Sequence, residues 1–106
     1  LGADIQSKTN CKWTALHQAA NKGHDSTIRA LAELGADIQS KTDSGWTALH
    51  LAASKGHDSI VRALAELGAD IQSKTDSGWT ALHLAASKGH DGAVRALAEL
   101  GADIQS

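Results

Sequence analysis

The chain has 106 residues and a formal net charge of −2, room for one small domain or a short repeat array, with no basic stripe to hold phosphates and so no nucleic-acid partner expected. No apolar run approaches the ~20 residues that cross a bilayer, and the single cysteine, Cys11, cannot close an internal disulfide, so an intracellular, cytoplasmic protein off the membrane is expected. Three Trp with no Phe or Tyr leave Leu, Ile, Val and many Ala to build the core.

Internal repetition organises everything else. Trp13, Trp46 and Trp79 are 33 residues apart, and the same step separates His17, His50 and His83, and Gly23, Gly56 and Gly89. The whole of 1–106 therefore reads as one repeat domain, with a partial repeat at 1–8 and units at 9–41, 42–74 and 75–106. The third unit differs from the second only at Gly92 for Ser59 and Ala93 for Ile60, while the first differs from it at seven positions. Recent duplication and construction from a consensus both produce such uniformity.

In chain order, the pattern predicts first helices over 14–22, 47–55 and 80–88, and second helices over 25–34, 58–67 and 91–100. In the middle unit Thr47 is suited to cap the first helix through its hydroxyl, and Gly56 to stop it in a left-handed conformation. Asp58 is expected to cap the second helix, where its charge suits the positive end. Ile60, Ala63, Leu64 and Leu67 share one face at helical spacing. The polar, Gly-containing stretch from Ala69 to Trp79 reads as a hairpin-like connection. Helices this short are marginal alone. Each unit is apolar on more than one side and needs neighbours, which is the physics of a solenoid.

Thr47-Ala48-Leu49-His50-Leu51-Ala52-Ala53, then Gly56-His57, Leu64 and Gly68-Ala69-Asp70-Ile71, resembles the ankyrin repeat over the full chain, in period and in motif. The resemblance implies an all-α repeat solenoid of antiparallel helix pairs, with hairpins projecting sideways and a concave surface that binds other proteins. It also implies that His17, His50 and His83 are structural, holding the Thr and the hairpin. The family usually has Pro where this chain has Ala15, Ala48 and Ala81. Pro suits the first helical position, so Pro at 48 and 81 is expected to stabilise the fold. Ala63 and Ala65, where the family often has larger residues, imply a thin core.

The functional reading rests on the Trp row. Trp13, Trp46 and Trp79 fall just before each first helix, at the edge where the resemblance places hairpins. Trp is enriched at binding hot spots, so this row is the expected anchor for a protein partner. Around it lie Asn10, Cys11, Asp43, Ser44, Asp76 and Ser77 near the hairpin tips, and Asn21, Ser54 and Ser87 on the first helices. The bland alternative has each Trp packing on its neighbouring hairpin and on a lysine stem such as Lys41 or Lys74, in a spacer without a ligand.

No enzyme, metal or cofactor is expected. Equivalent His in adjacent units are a repeat apart, too far to share a metal whose bonds are about 2 Å. Carboxylates recur in equivalent settings and so lack the opposed environments of a catalytic dyad. In the first unit Gln18 and Asn21 replace Leu51 and Ser54 and are expected to form a partial polar cap. Leu84, Leu97, Leu100 and Ile104 in the last unit are expected to leave an apolar face open to water, giving weak end-to-end self-association.

Overall fold

The computed structural model describes residues 13–104. Among these residues there are six helices and no strands: α1 (Ala15–Lys22), α2 (Asp25–Glu33), α3 (Ala48–Lys55), α4 (Asp58–Glu66), α5 (Ala81–Ser87) and α6 (Asp91–Glu99). They form three pairs. Within the array α1, α3 and α5 pack on one another in one layer, and α2, α4 and α6 in a second. The result is an elongated body of 45 × 26 × 19 Å. No helix of the described residues is long and apolar enough to cross a membrane.

Each first helix begins at its Thr. Thr14, Thr47 and Thr80 are extended N-caps whose side chains accept the N–H of His17, His50 and His83. Gly23 and Gly56 close α1 and α3 at φ 78 and 75, a conformation that costs glycine least. The second helices differ from expectation at their starts. His57 is the N-cap of α4 and makes no side-chain cap, while Asp58 is the first helical residue. The His57 ring is turned away to donate from Nε2 to Asn21 O in the preceding pair, 3.0 Å away. Asp58 still stands in the first turn, where a negative charge complements the helix dipole. Each second helix ends at Glu, with Leu67 and its equivalents as C-caps.

The core runs continuously through all three pairs: Leu16 and Ile28, then Leu49, Ile60 and Leu64, then Leu82 and Leu97. Ala fills the close approaches, with Ala20, Ala52, Ala53 and Ala85 fully buried. Comparing equivalent positions shows which side covers each. Ala48 and Ala81 are buried but Ala15 is exposed; Ala63 and Ala96 are buried but Ala30 is exposed. These positions are covered from the N-terminal side. Ala20 and Ala53 are buried but Ala86 is exposed, and Val61 is buried but Val94 only half so. Those are covered from the C-terminal side.

That comparison corrects the expectation for the last pair. Leu84 is 6 % and Leu97 0 % exposed, because both point toward the preceding pair rather than outward. Leu100 is half-buried, and of the four only Ile104 is open to water. The face that lacks a neighbour is made of Ala86, Ser87, Gly89, Val94 and Ala98 instead. At the other end Gln18 is exposed where Leu51 and Leu84 are buried, as a polar cap requires. Asn21 lies on the opposite side, against the next pair, and does not contribute to that cap. Asn10, Cys11, Lys12 and the partial repeat at 1–8 lie outside the described residues.

Ala48 and Ala81 occupy the first helical position, but their side chains are completely buried, and a proline ring there must find space. Ala15 has the same position and is exposed, and Thr14 before it is extended at φ −86, ψ 172, as a residue preceding proline prefers. Ala15→Pro is expected to raise stability by ~0.4–1 kcal/mol in urea denaturation, through reduced unfolded-chain entropy.

Two glycines with one backbone conformation separate strain from contact. Gly56 and Gly89 both have φ 75; a Cβ on Gly56 would lie 2.7 Å from His90 Nδ1, whereas one on Gly89 meets nothing within 4 Å. Gly89→Ala is expected to cost ~1–2 kcal/mol, the left-handed strain alone. Gly56→Ala is expected to cost ~1 kcal/mol more by displacing a hydrogen-bonded ring. Equal losses in parallel denaturation curves would show that the ring does not press on Gly56.

Candidate functional site: the tryptophan and hairpin edge

The edge is built from a tight turn before α3 and another before α5. Thr42 donates its N–H to Trp46 O at 2.9 Å, and Gly45 N–H returns to Thr42 O at 3.0 Å. The Thr42 hydroxyl accepts the Trp46 N–H at 3.3 Å. Thr75 and Trp79 repeat the arrangement. Successive turns are joined by Asp76 N–H donating to Ser44 O at 3.0 Å. A Cβ on Gly45 would collide with the Asp76 carboxylate, so glycine there lets one hairpin lie on the next.

The indoles stand beside the histidines of their own units. Trp46 and His50 ring centres are 6.2 Å apart, and Trp13–His17 and Trp79–His83 are each 6.3 Å apart. The ring neighbours seen here are thus histidines of the same unit. Trp13 and Trp46 are half-buried, and Trp79 is 40 % exposed. Between the first two lies a hollow of 490 Å³ lined by Trp13, Thr42, Asp43, Ser44, Trp46 and Leu51. A second, of 520 Å³, is lined by Ser77, Gly78, Trp79, His83, Ala86 and Ser87.

The structure divides the expected site residues. Trp13, Trp46, Asp43 and Ser44 come together at the first hollow; Trp79, Ser77 and Ser87 come together at the second. Asp76 is engaged in hairpin stacking. Asn21 and Ser54 are half-buried, and their carbonyls accept hydrogen bonds from His57 and His90, both at 3.0 Å; they serve the contact between pairs. Asn10 and Cys11 lie outside the described residues. Sequence reasoning missed Thr42, Leu51, Gly78, His83 and Ala86 as lining residues. Their signal was position alone: each is the neighbour, in sequence or one helical turn on, of a residue already singled out.

His17 and His50 have one defined chemical state. His50 Nδ1 accepts the Thr47 N–H at 2.9 Å, and Nε2 lies 2.9 Å from Ser73 O. A carbonyl accepts only, so Nε2 carries the proton, Nδ1 is bare, and the imidazole is neutral. His17 makes the same bonds to Thr14 and Ser40. Burial is expected of His50 and His83: His50 is buried, as is His17, but His83 is only half-buried. Its equivalent carbonyl belongs to Ser106, outside the described residues.

Burial lowers the His50 pKa below its ordinary value, against the opposing effect of the bond to Ser73. A proton on Nδ1 would also face the Thr47 N–H, donor against donor. The unfolded chain binds that proton near pH ~6.5, while the folded chain resists it. Stability from this group is therefore complete above pH ~6.5 and is lost as pH falls below it. The melting temperature is expected to drop on acidification from pH 7 to 5, with a smaller drop in His50→Asn. An NMR titration midpoint for His50 above 6.5 would contradict the assignment.

Comparison with known families agrees with this geometry. A family model described as "Ankyrin repeats (3 copies)" matches residues 1–75, and one described as "Ankyrin repeat" matches residues 77–106. A search of curated proteins finds no match. With the repeated Thr-to-His cap, the paired helices and the stacked hairpins in place, the chain belongs to the ankyrin repeat family.

Proposed function

We propose that this chain is a non-catalytic scaffold that binds a protein partner along its hairpin and tryptophan edge. Ankyrin repeats are in general protein–protein interaction modules, and this edge is where the molecule combines aromatic surface with shape. The observation that carries the reading is the hollow between Trp13 and Trp46, with Leu51 in its lining and Asp43 and Ser44 from the hairpin. An apolar lining with a few polar groups is the usual composition of a recognition pocket. The exposed Trp79 extends the same edge. The repetition of one surface favours a partner that offers similar side chains at regular intervals.

A spacer without a dedicated ligand is the second reading. It is favoured by the packing of each indole against a histidine of its own unit. The two readings differ in what removal of one indole does. Under the scaffold reading, Trp46→Ala weakens capture of a partner by at least ~30-fold, the ~2 kcal/mol of a hot-spot anchor, while far-ultraviolet circular dichroism stays unchanged. Matched affinity columns carrying the two proteins, with the retained partner then titrated in purified form, make the measurement. Equal affinity for both proteins would support the spacer.

A further inference from the structure

The hollow between Trp13 and Trp46 combines a shape with a charge. Its described lining is Trp13, Thr42, Asp43, Ser44, Trp46 and Leu51. Indoles from two successive units flank it, and Leu51, buried on α3, supplies the floor. Asp43 and Ser44 are exposed and bring the hairpin turn to its mouth. Among the described lining residues Asp43 is the one that carries a formal charge. Both units that form the hollow lie inside the array, so it belongs to the junction between two helix pairs.

The turn fixes the backbone on which the carboxylate stands. Ser44 N–H donates to the Thr42 hydroxyl at 3.3 Å. Gly45 N–H donates to Thr42 O at 3.0 Å, and Ser44 O accepts the Asp76 N–H of the next hairpin at 3.0 Å. Trp46 is held by the same threonine, through its N–H on the Thr42 hydroxyl, and by the His50 ring 6.2 Å away. Thr42 thus sets both the acidic residue and one indole wall. A site arranged before its ligand arrives loses less entropy on binding. Lys41, which precedes the turn, is outside the described lining; its charge is felt at His50 instead.

We propose, on the scaffold reading above, that this hollow receives an arginine side chain of the partner protein. A cation over the face of Trp is attracted by the ring quadrupole. The planar guanidinium stacks on aromatic faces, and its fork of N–H donors matches a carboxylate such as that of Asp43. The methylene stem has the indoles and Leu51 to lie against. A purely apolar side chain would strip water from the Asp43 carboxylate and return no charge to it. An acidic side chain would meet a like charge there. The partner segment is therefore basic where it meets the junction of the first two pairs.

Heteronuclear NMR of the full chain tests this through the indole N–H signals of Trp13 and Trp46. The probes are three acetylated and amidated pentapeptides, with arginine, citrulline or norleucine at the centre of four alanines. Citrulline keeps the shape of arginine without its charge, and norleucine keeps only an apolar stem. The arginine peptide should shift both indole signals saturably at millimolar concentration. The other two should bind at least ~10-fold more weakly, through loss of the cation–π and ion-pair attraction. Asp43→Asn should weaken binding of the arginine peptide by about fivefold; the residue is exposed, so the helical signal should be unchanged. Glu33→Gln makes the same change of charge at an exposed position on α2 and should bind as wild type does. Equal affinity for the arginine and norleucine peptides would overturn the proposal and leave an apolar scaffold pocket standing. Wild-type binding by Asp43→Asn, or no shift with any peptide, would overturn it as well. The column comparison with Trp46→Ala decides the scaffold reading separately.

Discussion

Every helix among the described residues has seven to nine residues, too few to persist alone in water. The rest of the structure depends on how that deficit is met. One device acts within each unit and one between units. Within a unit the neutral imidazole of His17 or His50 joins the helix start to a carbonyl 23 residues later, tying the connection after the second helix back to the first. Between units, alanines allow close approach, and His57 and His90 lie over Gly23 and Gly56. The absence of a Cβ at either glycine is what makes room for a ring.

The close approach explains why so thin a core suffices. Ala20, Ala52, Ala53, Ala63 and Ala96 are fully buried, so helices meet at short range and the few larger residues, such as Ile60 and Leu64, seal the space between layers. Stability then accrues through contacts with the neighbouring pair, as in other one-dimensional arrays. The same geometry leaves the indole surfaces of the hairpin edge largely free of that task. Trp46 and Trp79 are held by the Thr–Trp turn, all three indoles stand beside the histidine of their own unit, and their outer surfaces remain to line the two hollows.

The charged groups follow the same logic of neighbours. Arg29 and Glu33 stand one helical turn apart on α2, yet Arg29 reaches Glu66 of the next pair, with Asp25 beside it. The hydrogen bond to Glu66 raises the Arg29 pKa further above its ordinary value. An exposed pair of this kind adds little energy, but a repeated one sets direction and register. It gives each pair a direction along the stack, as the unequal burial of equivalent alanines also does.

Much of this was legible in the chain itself. The 33-residue step, the Thr caps, Gly56 as a left-handed stop and the six helices, within about a residue at each end, follow from local chemistry repeated three times. Burial of His17 and His50 follows from the family motif. Three things did not follow. Asp58 is a good capping residue by type, but the cap is His57, because its ring is drawn to a carbonyl in the preceding pair. Leu84 and Leu97 are leucines in a terminal unit, but they face the preceding pair, because direction across a stack depends on which side of its helix a residue occupies relative to the neighbouring pairs. The Arg29–Glu66 pair spans 37 residues, and a pattern of identical units cannot say whether arginine meets its own glutamate or the next one. Sequence by itself determined the unit, because a unit is closed by neighbours in the chain. Only the tertiary structure decided which side of each unit is covered, because that depends on how the units lie against one another in space.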